Sequence, residues 1–324
     1  MRGTSSDALR ELARARSVVL TTHINPDGDA LGSMIALYLF LLLCGIQVQM
    51  WLDDNLPVMY SFLPHLDKIE RPPTTPQPVD LFVVLDAGDA SRTGSSGHNY
   101  RGRSLNIDHH LSNSDFADLT FVDETAAATG IMIQRMIEES DGGVSKEMAT
   151  CLYTAIATDC GFFRYANTDA QTLHAAARLV GYGAEPHTIS EQLQTMPLSR
   201  ITALSKVLDT LEVSGCGRIA SVMVPPGIAS TAVEDTERFI DYPRNIAGVE
   251  VAIMFKPSAE KETVKLSFRS RRLNVSDLAR SLGGGGHARA AGCTLKGSVY
   301  EVKPRVLTRV MEALRAAGLG LVRC

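Results

Sequence analysis

The stretch SVVLTTHINPDGDALGSMIALYLFLLLCGI, residues 17–46, decides the fold. Residues 17–23 are apolar and β-branched on consecutive positions, the pattern of a strand buried on both faces. NPDGD then supplies turn residues, and Asp29 stands where it could cap a helix. The apolar run behind it predicts a helix over 29–43, and IQVQMWL (46–52) predicts a second strand. Strand, crossover helix and strand make the first unit of a parallel sheet covered on both sides. The run from Ala30 to Ile46 is also the one membrane candidate, but at about 17 residues it sits at the low edge for a span. It begins directly behind two aspartates, so a buried core helix is expected and no membrane partner.

The same grammar continues outward. DLFVVLD (80–86) and SLNID (104–108) read as strands, and helices are expected around 126–139, 146–158 and 169–182. RPPTTPQPVD, between the second and third strands, is a surface connection, because proline removes donors and blocks helix. Residues 185–212 read as helices without an intervening strand. From 213 the pattern changes: strands at 217–224, 249–256 and 263–270, helices at 275–282 and 301–317. A chain of 324 residues exceeds what one core serves. The expectation is an α/β protein: a doubly wound parallel-sheet domain over 1–190, a helical linker over 191–212, and a smaller α/β domain with a mixed sheet over 213–324.

The chain carries 32 basic and 36 acidic residues, net −4, which gives no support for a surface that binds long DNA. The six cysteines, Cys44, Cys151, Cys160, Cys216, Cys293 and Cys324, form no C-x-x-C pair. They read as reduced residues of a cytoplasmic protein rather than a disulfide or zinc framework. The N-terminus alternates charge with Leu and Ala at helical spacing, unlike a signal peptide.

Chemistry collects at the strand ends. The first strand runs into His23, Asp27 and Asp29; the third ends at Asp86, with Asp89 beyond; the next ends at Asp108, His109 and His110; the helix over 146–158 runs into Asp159. In a parallel sheet these ends share one rim, where ligands bind. Carboxylates with imidazoles and no thiolate suit Mn²⁺, Mg²⁺ or Fe²⁺. So many carboxylates would repel one another unless cations neutralise them, and two bridged ions are the usual arrangement for phosphoester hydrolysis.

SLGGGGHARAAG (281–292) poses a separate question. Four glycines followed by His287 and Arg289 do not read as a tether when periodic segments flank both sides. Bare glycines let backbone N–H groups approach an anion. Arg269 and Ser270 in SFRSRR, with Arg271 and Arg272 nearby, add bidentate phosphate donors. The segment is expected to be a phosphate- and nucleotide-holding loop. Tyr165 and Phe163 offer stacking surface, Phe163 being better suited to the core.

These motifs, HINPDGD, LDAGD, IDHH, ATDCGFF and GGGGHARAAG in this order, resemble those of the DHH-family phosphoesterases followed by a DHHA1 domain. Within that family the length and ending are most similar to the bacterial oligoribonuclease/pAp phosphatase group. The resemblance implies one Mn²⁺ on His23, Asp27, Asp86 and Asp159 and another on Asp29, Asp86, His109 and Asp159. Asp86 would bridge, Asp108 would orient His109, and His110 would stand by the scissile phosphate and help the leaving oxygen. Mg²⁺ is the alternative metal. Substrate contacts would come from Arg269, Ser270, Gly284, Gly285, Gly286, His287 and Arg289, facing the metals across a cleft between the domains. The implied activity is hydrolysis of short RNA to mononucleotides and of 3′-phosphoadenosine 5′-phosphate to AMP, by a homodimer. Cyclic di-AMP or pApA is the rival substrate. A nucleotide-sensing module is the non-enzyme rival; it should lack a metal ligand, and none is missing.

Overall fold

The computed structural model describes residues 1–140, 142–229, 236–258 and 262–319, and within them every side chain but those of Ala229, Glu237 and His287. Cys324 lies outside the described residues. Contacts divide the chain into two compact units, Met1–Thr195 and Met196–Cys324.

In the first unit α1 (Ser5–Arg14) precedes β1 (Ser17–Thr21), α2 (Gly28–Leu43), β2 (Gln47–Trp51), β3 (Ile69–Glu70), β4 (Gln77–Leu85), β5 (Tyr100–Asp108) and β6 (Leu119–Val122). Four helices follow: α3 (Thr129–Glu139), α4 (Lys146–Asp159), α5 (Ala170–Gly181) and α6 (Pro186–Gln194). All strand pairs are parallel, in the order β3-β2-β1-β4-β5-β6. The order reverses between β1 and β4, so their C-terminal ends flank the crevice where such sheets take ligands. Alternation sorts the strands: Val18, Leu20, Val83 and Leu85 join the helices in the main core. Val19, Phe82 and Val84 face the other way, with Trp51 and Ala87.

Helix α2 is buried along almost its whole length, as its unbroken apolar run requires. It reaches α4 through glycine. A Cβ at Gly32 would lie 2.3 Å from the carbonyl oxygen of Cys151, and one at Gly28 2.4 Å from Thr158 Oγ1. Gly130 of α3 meets Ala155 of α4 the same way, at 2.6 Å. Helices α2 and α4 thus meet backbone to backbone at Gly32, while Gly28 and Gly130 make room for the Thr158 and Ala155 side chains of α4. Among the described residues no helix is long and apolar enough to cross a membrane.

In the second unit α7 (Leu198–Leu208) comes first, then β7 (Glu212–Val213), β8 (Ile219–Met223), β9 (Val251–Ser258), β10 (Thr263–Ser270), α8 (Val275–Ser281), β11 (Gly285–His287), β12 (Ala290–Lys296) and α9 (Val299–Ala316). The sheet is mixed: β8 and β9 are parallel and the other pairs antiparallel, in the order β11-β12-β10-β9-β8-β7. Leu266 and Phe268 pack beneath α8 and α9, against Val275, Leu278, Val302 and Val306. Helix α7, read from sequence as part of a linker, buries Ala203, Leu204 and Val207 against Val222, Ala252 and Met254. Its apolar face makes it a layer of this unit.

The glycine run corrects another expectation. Gly285–His287 is an edge strand, paired antiparallel with β12, not an open loop. A Cβ at Gly284 would meet the Gly292 carbonyl oxygen at 2.1 Å, and Gly286, at φ 136°, would meet Ala291 Cα at 2.6 Å. These glycines admit a neighbouring strand.

The α2–α4 contact yields a prediction. Gly32→Ala forces two backbones apart, so urea unfolding should show a loss of about 1–3 kcal/mol. An unchanged midpoint would mean that the close approach is not required.

Candidate metal centre

The rim is assembled from five chain segments. Past β1 the chain enters the loop that carries His23 and Asp27. Ile24 N–H donates to the Arg92 carbonyl at 2.7 Å, and Asn25 N–H to Asp54 Oδ2 at 2.5 Å, with Asn25 left-handed at φ 55°. Asp27 is the N-cap of α2: its Oδ1 accepts from Asp29 N–H and Ala30 N–H, both at 3.0 Å. Asp29 lies in the first turn of α2 and reaches across to cap α3. Its Oδ2 accepts from Thr129 N–H at 2.7 Å, and its Oδ1 from Gly130 N–H at 2.8 Å and Ser33 Oγ–H at 3.0 Å.

Asp86 follows β4 in the left-handed region, at φ 56°, a conformation that costs an ordinary residue about 1–2 kcal/mol. Its N–H still pairs with Ile107 O, and its Oδ1 accepts from Thr129 Oγ–H at 3.1 Å. Asp159 ends α4, immediately before Cys160 and three left-handed residues, Gly161, Phe162 and Phe163. Asn167 Nδ2 donates to its Oδ2 at 3.4 Å. Phe163 packs edge-on against Tyr153, with ring centroids 6.0 Å apart, so it serves the core, while Tyr165 is exposed.

These segments bring the predicted residues together in three overlapping groups of ligand atoms. They are His23–Asp27–Asp86, Asp29–His109–Asp159 and Asp86–His109–His110, the atoms of each within 4.8 Å of one another. His23 Nε2 lies 3.6 Å from Asp86 Oδ2 and 3.8 Å from Asp27 Oδ2. His109 Nε2 lies 3.5 Å from Asp86 Oδ1, 3.8 Å from Asp29 Oδ2 and 3.9 Å from Asp159 Oδ2.

The donor set fits divalent cations. His23 Nδ1 sits 2.9 Å from the Ile24 carbonyl and His109 Nδ1 3.1 Å from that of Ala126. A carbonyl only accepts, so each Nδ1 carries a proton, which leaves Nε2 as the ligand atom that faces the carboxylate oxygens. At 3.5–3.9 Å from the carboxylate oxygens, each Nε2 stands at a spacing that a cation between the atoms could fill.

The electrostatics agree. Burial raises the Asp29 carboxyl; burial and then the charge of Asp29 raise Asp86 well above the usual carboxylate range. The same two causes push Asp159 up to about 7. Burial opposes the His109 imidazolium, but Asp29, Asp86 and Asp159 outweigh it and raise His109 to about 9.

One expected partnership is corrected. Asp108 does not orient His109, which is held by Ala126; its Oδ1 accepts from His110 Nδ1 at 2.7 Å. Asp108 is wholly buried, which would raise it, yet the His110 and Asn113 donors prevail and hold it below its ordinary value. Sequence reasoning also missed Thr129, whose N–H and hydroxyl join Asp29 to Asp86.

The profile of the DHH family, N-terminal domain, matches residues 17–156, and that of the DHHA1 domain residues 223–316. The bifunctional oligoribonuclease and PAP phosphatase NrnA of Thermus thermophilus is 36% identical over 93% of this chain and 91% of its own length. This chain belongs to the DHH family of phosphoesterases. The NrnA of Bacillus subtilis is 24% identical over 90% of this chain and 93% of its own. A solved structure, an exopolyphosphatase-related protein of Bacteroides fragilis, superposes with a TM-score of 0.86 at 25% identity, covering 96% of this chain and 95% of that one. As a DHH phosphoesterase, the protein is a metal-dependent hydrolase of phosphate esters.

In the DHHA1 region Lys265, Ser267 and Arg269 project from the face of β10 opposite Leu266 and Phe268. With Gly285, Gly286 and Gly292 they line an open groove of about 460 Å³. Arg269 Nη1 donates to the Phe268 carbonyl at 3.0 Å. Ser270, expected among the substrate contacts, is instead fully buried, and its hydroxyl donates to Leu273 O at 2.5 Å. Gly284 packs against Cys293, outside the groove lining. Arg289 is exposed and donates through Nη1 to the Arg272 carbonyl. His287 pairs through its backbone with Ala290, and its side chain lies outside the described set.

The rim generates a pH prediction. Stripped of metal, the folded DHH phosphoesterase holds protons at His109, at about 9 against an ordinary 6.5, and at Asp159, at about 7 against 3.8. Both shifts are upward, so the stability they contribute is present at low pH. It is lost as pH rises, through about 4 to 7 for Asp159 and 6.5 to 9 for His109. Bound cations replace those protons. Melting scans from about pH 6 to 9 with chelator or with Mn²⁺ should therefore show the metal-induced rise in Tm growing with pH. A rise that is flat or shrinks would contradict this charge arrangement.

Proposed function

We propose that this protein hydrolyses short oligoribonucleotides to mononucleotides and 3′-phosphoadenosine 5′-phosphate to AMP, with two divalent cations, Mn²⁺ in preference to Mg²⁺. The observation that carries the reading is Asp86, whose carboxylate belongs to two of the three groups of ligand atoms and lies near both His23 and His109. In this reading His23, Asp27, Asp86 and Asp159 hold one cation, and Asp29, Asp86, His109 and Asp159 the other. Bound there, such ions supply an acidified water and anchor phosphoryl oxygens.

The chain's own residues do the rest. Asp86 presents one oxygen toward each imidazole. Asp27 and Asp29 have their remaining lone pairs directed by the N–H donors of α2 and α3. His110, held at Nδ1 by Asp108, uses Nε2 to give a proton to the leaving oxygen. Arg269, with Arg289, His287 and the Gly285–Gly286 edge, grips the far phosphate or nucleoside. The substrate class is supported by the names of the Thermus and Bacillus relatives, each matched over nine-tenths or more of both chains. By the same family resemblance the reading includes a homodimer working in the cytoplasm; light scattering on the purified protein tests the dimer.

A groove of about 460 Å³ in a chain of net charge −4 suits a nucleotide rather than a long strand, which needs an extended basic track. On a labelled RNA ladder at fixed salt, kcat/KM should peak between two and about five nucleotides and fall steeply toward a 20-mer. The 3′-phosphate of 3′-phosphoadenosine 5′-phosphate should also be released. Equal or better rates on the 20-mer would overturn the short-substrate reading. Faster turnover of pApA or cyclic di-AMP would replace the substrate, and tight nucleotide binding without turnover would favour a sensor.

A further inference from the structure

We propose that Asn106 and Asn113 are positioning residues for the reaction: a relay of side-chain amides, anchored on the main chain beside Asp86, that fixes Asp108 and through it the orientation and tautomer of His110. The inference rests on the reading of His110 given above and goes beyond it.

Asn106 is wholly buried inside β5, in a run where Leu105 and Ile107 are buried apolar residues. A buried amide at such a position costs free energy unless it is satisfied, so the fold alone gives no reason for it. Its Nδ2 lies 3.2 Å from the carbonyl oxygen of Val84 and 3.2 Å from that of Ala87, the residues on either side of the turn at Asp86.

Those contacts determine everything downstream. Carbonyls only accept, so the NH₂ of Asn106 must face them and its Oδ1 must face outward. That oxygen accepts from Asn113 Nδ2 at 2.7 Å. Asn113 must therefore present its NH₂, whose second hydrogen goes to Asp108 Oδ2 at 2.6 Å. The Asn113 Oδ1 confirms the orientation by accepting from Asp115 N–H at 2.8 Å. Asp108, receiving a donor on Oδ2, accepts from His110 Nδ1 on Oδ1. Each hydrogen in the chain has one permitted direction, and the chain ends by requiring a proton on His110 Nδ1. Reaction at His110 is thereby confined to Nε2.

The turn from His110 to Asn113 is tied down at the same point: Asn113 N–H donates to His110 O at 3.1 Å, and Ser114 N–H to Gly88 O at 2.8 Å. Gly88 lies two residues past Asp86. The strand end that bears Asp86 and the turn that bears His110 are thus tied together by polar contacts beyond the sheet ladder. A residue that merely supported the turn would affect all substrates alike. A residue that sets the tautomer of a proton donor affects chiefly substrates whose leaving oxygen needs the proton.

The test compares a diribonucleotide with the p-nitrophenyl ester of a nucleoside 5′-monophosphate, whose leaving group departs unprotonated. Asn113→Asp and Asn106→Asp keep shape and remove donors, Asn113→Asp also keeping the acceptor for Asp115 N–H; Asn113→Ala removes the donor without adding charge; His110→Asn runs alongside. On the diribonucleotide each asparagine variant should lose about a hundredfold in kcat with little change in KM or bound Mn²⁺. On the p-nitrophenyl ester the loss should be smaller by about tenfold or more. Equal losses on the two substrates, or unimpaired kcat on the diribonucleotide while His110→Asn is slow, would overturn the relay. Unimpaired turnover by His110→Asn would overturn the reading of His110 itself.

Discussion

The structure turns on the mutual repulsion of four carboxylates, Asp27, Asp29, Asp86 and Asp159, at one sheet edge. Two of them, Asp29 and Asp86, have almost no contact with solvent. Removing such groups from water while crowding them is unfavourable on both counts. The protein meets this cost with oriented donors. The α3 N-terminus and Ser33 serve Asp29, the α2 N-terminus serves Asp27, and the Thr129 hydroxyl serves Asp86. These bonds hold the carboxylates in place without neutralising them. The remaining charge is available to cations, and to protons when cations are withheld.

Much of the architecture follows from delivering those groups to one rim. A parallel sheet places the ends of β1, β4 and β5 side by side, and its reversal point lies between β1 and β4. Asp29 and Asp159 belong to helices, so the rim also depends on how α2, α3 and α4 pack. Gly32 lets α2 reach the backbone of α4, and Gly28 and Gly130 make room for the Thr158 and Ala155 side chains. Larger residues would push α4, and Asp159 with it, away from Asp29. The left-handed backbone at Asp86 and after Asp159 lies at the same rim, so the strained conformations gather where the geometry is most demanding.

Most of the first sheet was legible in the sequence, as were the seven acidic and histidine side chains that the structure brings together at the rim, because apolar runs and strand-end acids are local signals. β3 and β6 were not, being two and four residues long. β11 was hidden by glycine, which has no strand preference and whose purpose, the approach of β12, is a tertiary contact. The partner of Asp108 was not legible: β5 ends at Asp108 and both imidazoles stay near Asp86, their ring centroids 4.7 Å apart, so only the placed side chains show that His110 is the one that meets Asp108. The contacts of Thr129 with Asp29 and of Asn106 with Val84 join residues 100 and 22 positions apart, and no spacing in the sequence announces them. The burial of Ser270 was likewise hidden, since SFRSRR reads as polar until β10 is placed and Leu273 supplies its acceptor.

The central claim is that Asp86 is shared between two cations. Its most direct test is metal stoichiometry: stripped protein titrated with Mn²⁺, and bound metal counted by equilibrium dialysis and mass spectrometry. The account predicts about two ions per chain, about one after His23→Ala, and loss of tight binding at both sites after Asp86→Asn, with the fold retained. Saturation of the unaltered protein at a single ion, or two tightly held ions in Asp86→Asn, would contradict it.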